Sequence, residues 1–407
     1  MADLTMIEVR LHGRSIGTLT RMAGDRVLFT FHESYISDSD RPTLGLSFKD
    51  VHGGLITDFR PTQTRLLPFF SNLLPEGPMR DYLAARAGVT PQREFFLLRA
   101  LGRDLPGAII VDAPEGNTAT ISEDDPDSGN DPPEEGALRF SLAGVQLKFS
   151  AIAEARGGLT LPAQGIGGSW IVKLPSREFE GVPQNEYAMM TLARLIGIDV
   201  PLLKLVALEE IGNLPRDIGA LKGQALAIER FDRRSNGEAI HIEDFAQVFG
   251  VYPEDKYKRA SYRNIAHVIG VESGQADIAE FIRRLVFNSL IGNADMHLKN
   301  WSLIYPDQRK AALSPAYDFV STIAFMPDVK AALNFSRTKR FDEFSEDELS
   351  HLAAKAMLPE KLVRDTAREA VGLFHQHWRA EKNHLPLPVS AIRAIEKHFA
   401  TVPLARS

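Results

Sequence analysis

Two stretches that belong in a protein core, Phe281–Ile291 (FIRRLVFNSLI) and Ser302–Tyr305 (SLIY), are joined by a polar loop, and this arrangement constrains the fold more than any other feature of the chain. The first stretch reads as a buried helix and the second as a short strand. The segment between them, GNADMHLKNW, carries Asp295, His297, Lys299 and Asn300. Buried charges are expensive unless they are paired or bind a metal. The fold must therefore give these four side chains something polar to face.

The chain has 407 residues, enough for two or three domains. At 44% hydrophobic and 25% charged it has the composition of a soluble globular protein. A net charge of −6 and a pI of about 6.0 give no general pull toward nucleic acid or an anionic membrane. The absence of cysteine excludes disulfides, thiolate zinc sites, iron–sulfur clusters and a cysteine nucleophile. The N-terminal MADLTMIEVR lacks the apolar core of a signal peptide, and no apolar run approaches the ~20 residues of a membrane span. A cytoplasmic protein without a membrane partner is expected.

Strand patterns open the chain. Ile7–Leu11 (IEVRL) alternates, His12 and Gly13 punctuate, and Arg26–Phe31 (RVLFTF) follows. Met79–Val89 reads as a helix and Gly107–Val111 as a closing strand. From Asp112 to Glu135 acidic residues stand without a single Lys or Arg, among Pro, Gly, Ser and Thr, which is the composition of a flexible linker. RFSLAGVQLKFSAI and SWIVKLP are strand-like, and Asn185–Gly197 reads as a helix stopped by its glycine. VPLLKLVAL and QALAIERF look like buried strands. Helical patterns dominate from Phe245, and Ser345 followed by Glu348 has the spacing of a capping box. The expected organisation is α+β in four parts: a β-rich domain over residues 1–111, an acidic linker over 112–137, a small β-rich lobe with one helix over 138–235, and a helical lobe over 236–407.

Asp295 and Asn300 stand five positions apart, the spacing of the catalytic loop in protein kinases, where the Asp orients and deprotonates the attacking hydroxyl and the Asn carbonyl ligates Mg²⁺. A second metal ligand is required on a later loop, and Asp318 in SPAYDFVST supplies one. Upstream, a kinase needs a strand lysine to hold the phosphates and a helix glutamate to hold that lysine. Lys173 in WIVKLP and Glu186 in NEYAMM fill those places. Ser141–Lys148 (SLAGVQLK) offers a phosphate-covering turn, and LAIERFD suits a hinge between lobes. Taken singly, each residue has an ordinary explanation: Asp295, Asn300 and Asp318 as turn formers, Lys173 as an edge-strand lysine, Glu186 as a carboxylate favoured by a helix N-terminus. Taken in order, they follow the kinase plan. His297 sits within the loop as a hydrogen-bond donor. Gly165–Trp170 (GIGGSW) lacks the third glycine of a dinucleotide fingerprint and precedes a strand, and neither a Walker A sequence nor H-E-x-x-H occurs.

With these residues in view, the chain resembles the HipA family of bacterial toxin kinases over nearly its whole length. The resemblance rests on FFSNLLPEG, LLRALGRDLPGAI, RFSLAGVQLKFS, IVKLP, NEY, AIERFDR, LIGNADMHLKNWS and SPAYDFVS. It implies a two-lobed protein-kinase-like fold related to lipid kinases, with an N-terminal β-rich subdomain and a helical C-terminal lobe. It implies an ATP- and Mg²⁺-dependent Ser/Thr protein kinase. By the same resemblance Asp295 is the catalytic aspartate, Asn300 and Asp318 are the Mg²⁺ ligands, and Lys173 is the phosphate-binding lysine supported by Glu186. Gly144, Val145 and Gln146 form the phosphate-loop backbone with Lys148 at its basic end. Glu229 and Phe231 hold the adenine, His297 joins the nucleotide site, and Ser141 is the autophosphorylation site that switches the kinase off. The implied partners are a HipB-like helix-turn-helix antitoxin, operator DNA reached through that antitoxin, and a protein substrate of the aminoacyl-tRNA synthetase class. Two alternatives stay open from the residues: a small-molecule kinase of the aminoglycoside type, and a catalytically silent kinase fold acting as a corepressor.

Overall fold

The turn at His12 and Gly13 sets the first sheet. Both residues have positive φ, 51° and 74°, the requirement of the tight turn whose twist matches two antiparallel strands. The strand Thr5–Leu11 before it buries Ile7, Val9 and Leu11, while Glu8 and Arg10 pair with each other at 2.7 Å. The structure, a computed structural model, describes residues 5–114, 147–153, 158–161, 168–176, 178–214, 221–326 and 330–406. Among these the first sheet has five antiparallel strands in the order Thr62–Gln63, Arg26–Phe31, Arg14–Met22, Thr5–Leu11, Ile109–Asp112. Phe29, Phe31, Phe48, Phe69 and Phe70 interlock against it, mostly edge to face. The helix expected at Met79–Val89 spans Gly77–Ala87 and ends on Gly88 in the left-handed conformation. A further helix, Glu94–Leu101, was not anticipated.

A six-stranded sheet follows, in the order Ile211–Gly212, Leu159–Thr160, Lys148–Ala153, Trp170–Lys173, Gln224–Glu229, Leu203–Ala207. Its register sets Lys148 directly opposite Lys173. The helix Val182–Leu195 packs across the Gln224–Glu229 strand and buries Ala188, Met189, Met190, Leu192 and Ala193. It begins three residues before the expected start because Pro183 lies in the first turn, where no backbone N–H is needed.

The third core is helical. Gln275–Ile291 runs through its centre, buried on every side over its last eight residues, and packs against Glu360–Glu381, Tyr262–Glu272 and Val389–Phe399. The strands His241–Asp244, Ser302–Tyr305 and Ala312–Leu313 form a small antiparallel sheet beside it. The capping box expected at Ser345 is realised by half. The Ser345 hydroxyl accepts the Glu348 N–H at 3.3 Å, but the buried Glu348 carboxylate turns to Ser336 and Arg337 instead of the cap.

The N-terminal domain is docked along the other two cores through polar contacts. Asp232 accepts the Gly107 N–H at 2.9 Å and pairs with Arg230 and Arg233. Arg230 also reaches Asp104 at 3.0 Å, and Arg233 donates to the carbonyls of Leu105 and Gly107. Glu243 accepts the Leu46 N–H, and Asn72 donates to the Val251 carbonyl at 2.7 Å. Among the described residues no helix is long and apolar enough to cross a membrane.

Candidate active site

The loop that raised the opening question begins where the central helix is stopped. Gly292 closes that helix with φ of 67°, and a Cβ there would meet the Ile323 side chain at 2.8 Å. The glycine is thus required twice, by backbone and by space. Beyond it the loop is held by its own polar groups. Asn293 donates to Asn288 Oδ1 at 2.8 Å and accepts the Asp295 N–H at 3.0 Å. Thr322 accepts the Ala294 N–H at 2.8 Å and donates to the Gly292 carbonyl at 3.0 Å. The Asp295 carbonyl accepts the His297 N–H and the Asn300 side-chain amide, both at 2.8 Å. That last bond spends the nitrogen of Asn300 and leaves its oxygen for another partner.

The Asp295 side chain opens toward solvent, yet its carboxyl is crowded by protein. This desolvation, with the charges of Asp318 and Glu76, holds it above the ordinary carboxylate range against the opposing pull of Tyr257 and Lys256. The Tyr257 hydroxyl donates to Asp295 Oδ1. Beneath Tyr257, edge to face at 4.9 Å, lies His297. Burial lowers the His297 pKa to about 3, so the ring is neutral, and its Nδ1 has no hydrogen-bond partner among the described residues.

Opposite this loop lies an ion cluster. Lys173 is buried at the end of its strand, 2.5 Å from Glu186 Oε1 and in contact with Asp318. Asp318 has a φ of 58°, a left-handed conformation that Asp tolerates better than most residues. Burial acts to neutralise all three groups. The two carboxylates outweigh it at Lys173, whose pKa is raised, and the ammoniums of Lys173 and Lys148 outweigh it at Asp318, whose pKa falls well below normal. At Glu186 burial wins and the pKa rises. The Glu186 helix and the Asp318 segment are stitched together, because Asn185 and Ser321 exchange hydrogen bonds of 2.8 and 3.3 Å. Asp318 is also tied to the Asn293–Asn300 loop, where its carbonyl accepts from Asn293 at 3.4 Å.

The strand Gln224–Glu229 leads into the expected hinge. Phe231 stacks on Tyr317 with ring centroids 5.7 Å apart, and the Glu229 N–H donates to the Leu202 carbonyl at 2.8 Å. The structure thus brings Asp295, His297 and Asn300 onto one loop, Lys173, Glu186 and Asp318 into one cluster, and Lys148 beside it. Ser141, Gly144, Val145 and Gln146 lie outside the described residues. Sequence reasoning assigned no role to Tyr257, Asn293, Asn185, Ser321, Thr322 or Glu76. Asn185 and Glu76 lie within the quoted segments NEY and NLLPEG, but nothing in those segments says what they touch.

The cluster suits a metal-bound polyphosphate. Lys148 and Lys173 stand directly opposite on neighbouring strands and share Asp318 as a counter-charge, so two ammoniums are gathered where an anionic phosphate could also be held. Asp318 and the free oxygen of Asn300 are hard donors of the kind Mg²⁺ takes.

Two family models match the chain, one described as the HipA N-terminal domain over residues 7–112 and one as the HipA-like C-terminal domain over residues 140–378. Y4dM of Sinorhizobium fredii, a protein that carries the designation of a kinase, is 58% identical over 409 residues, covering 100% of this chain and 99% of that one. The serine/threonine-protein kinase toxin HipA of Shewanella oneidensis is 28% identical over 374 residues, 84% of this chain and 80% of that one. Among solved structures, the Shewanella oneidensis complex of HipA, HipB and operator DNA matches with a TM-score of 0.72 at 23% identity, over 98% of this chain and 96% of that one. That likeness establishes the fold: α+β and kinase-like, with a β-rich N-terminal region and a helical C-terminal region.

Proposed function

The chain belongs to the HipA family of toxin kinases, and from that premise we propose that it is an ATP-dependent Ser/Thr protein kinase acting as the toxin of a toxin–antitoxin pair. The observation that carries the reading is the pairing of an open Asp295 with the Lys173–Glu186–Asp318 cluster on two segments tied by Asn293. In this reading Asp295 accepts the proton of a substrate serine hydroxyl. The serine oxygen bonds to the γ-phosphorus, the bond from that phosphorus to the bridging oxygen breaks, and ADP leaves. Lys148 and Lys173 hold the phosphates, Glu186 fixes Lys173, and Glu229 with Phe231 holds the adenine. His297 lends its unpartnered Nδ1 to the nucleotide site. Asn300 and Asp318 hold Mg²⁺, which when bound neutralises charge on the phosphates. Ser141, Gly144, Val145 and Gln146 complete the phosphate loop, with Ser141 as a self-modification site. The reading extends to a cytoplasmic location, a HipB-like antitoxin that reaches operator DNA, and a protein substrate of the aminoacyl-tRNA synthetase class. The names of the Shewanella relative and its complex support the antitoxin and DNA.

The test uses Asp318→Ala. Calorimetry is expected to show Mg·ATP affinity falling far more than adenosine affinity, because the lost group serves the metal and phosphates. Phosphoproteomics after brief induction is expected to show a new phosphoserine protein and growth arrest with the wild type only. Equal losses for both ligands, or equal arrest by both proteins, would contradict the reading.

A second expectation concerns pH. The Tyr257 hydroxyl pulls the Asp295 pKa down by donating to the carboxylate, so Tyr257→Phe lets that pKa rise. A general base works deprotonated. The acid limb of kcat/KM against pH should therefore move to higher pH in the variant. Superimposable limbs would remove Tyr257 from the catalytic environment.

A further inference from the structure

Glu76 sits at the N-cap of the helix Gly77–Ala87, yet its side chain makes no capping hydrogen bond. It leaves its own domain and reaches two lysines of the helical lobe, Lys256 at 2.7 Å and Lys299 at 2.9 Å. Lys299 lies in the catalytic loop, one residue before Asn300 and four after Asp295. Its ammonium also donates to the Asn72 carbonyl at 3.0 Å, again in the N-terminal domain, and its own carbonyl accepts the Tyr317 hydroxyl at 2.9 Å. Lys256 directly precedes Tyr257, whose hydroxyl meets Asp295. One carboxylate thus holds the loop directly through Lys299 and, through Lys256, the segment whose Tyr257 meets the base, and Lys299 has only 14% of its side chain exposed.

We propose that Glu76 is a positioning residue for phosphoryl transfer, through which the N-terminal domain pins Lys299 and Lys256 and thereby fixes Asp295 and Asn300. The domain is then part of the catalytic apparatus and not a separate module. A carboxylate suits the task because it neutralises two ammoniums that would otherwise repel each other beside the phosphate-binding lysines. The inference rests on the kinase reading above.

The test is Glu76→Gln in the full chain, which keeps the shape and removes the charge. The kcat for phosphoryl transfer is expected to fall about 10–100-fold, the usual range for groups that orient a catalytic shell, with the KM for ATP unchanged. Lys299→Gln is made alone and together with Glu76→Gln. If the two act as a unit, the double variant is no slower than the slower single variant. Hydrogen exchange over residues 293–300 is expected to be faster in Glu76→Gln, with or without nucleotide. An unchanged kcat, a loss confined to KM, multiplicative losses or unchanged exchange would each overturn the proposal. An inactive wild type would overturn the kinase reading instead, and the exchange measurement would still decide whether Glu76 holds the loop.

Discussion

Replacing Asp295 by Asn is expected to lower phosphoryl transfer by ~10²–10⁴-fold, the usual worth of a positioned general base, while leaving the fold and ATP binding in place. The two side chains are nearly isosteric, and the amide oxygen of Asn can still accept the Tyr257 hydroxyl. The backbone of residue 295 is held by Asn293, His297 and Asn300 and does not depend on the carboxylate. The raised pKa of Asp295 brings a carboxylate closer to the working pH, where proton transfer is most effective. Transfer of label from γ-labelled ATP, with nucleotide titration and melting temperature on the same samples, separates loss of chemistry from loss of structure. Retained transfer would remove Asp295 from the role of base.

Lys173→Met is expected to strike both stability and nucleotide binding. Lys173 faces Glu186, which is 1% exposed, and also Asp318. Removing the ammonium leaves a buried carboxylate without its partner, which typically costs ~3–5 kcal/mol. The cost depends on pH in a defined sense. Glu186 has a folded-state pKa above its unfolded value, so its neutral form favours folding at low pH and that contribution is lost as pH rises through the raised pKa. The melting temperature of Lys173→Met should therefore drop most at neutral and higher pH and less in mild acid. Adding Glu186→Gln should restore stability without restoring Mg·ATP affinity, since the amide carries no charge to bury and cannot replace a phosphate-binding cation. A double variant as unstable as the single one would show that the buried charge is not the cause.

The candidate site residues were legible because each stands where a pattern breaks. Asp295 and Asn300 lie between an apolar helix and strand, Lys173 ends a buried strand, and Glu186 lies early in a largely apolar helix. Such breaks are local and survive in one dimension. The contacts that organise the site are not local. Glu76 and Lys299 are separated by more than half the chain, and Asp104 and Arg230 by 126 residues that include the acidic linker, and no periodicity links either pair. The helix Glu94–Leu101 was missed because EFFLLRAL is too short to show a clear amphipathic repeat. The capping box at Ser345 was half wrong for a related reason. Spacing identifies Glu348 as able to reach back, but a partner elsewhere in the fold, the Ser336–Arg337 segment, takes its carboxylate.

The Arg230–Asp232–Asp104 junction also bears on how the chain comes apart. Local opening of a folded protein proceeds in cooperative units, and a unit is defined by what must break together. Undocking the N-terminal domain takes away Asp104 and the Leu105 and Gly107 carbonyls, leaving Arg230 with Asp232 and the Ser150 hydroxyl and Arg233 with Asp232. It also takes Glu76 and the Asn72 carbonyl from Lys299. The expected hinge and the Asp295–Asn300 loop thus lose contacts to the same domain, which makes them candidates for one cooperative opening unit. If Glu76 positions the loop as proposed, undocking of the first hundred residues and loss of phosphoryl transfer are expected to coincide, and the active fraction is expected to follow the fraction in which that domain is seated.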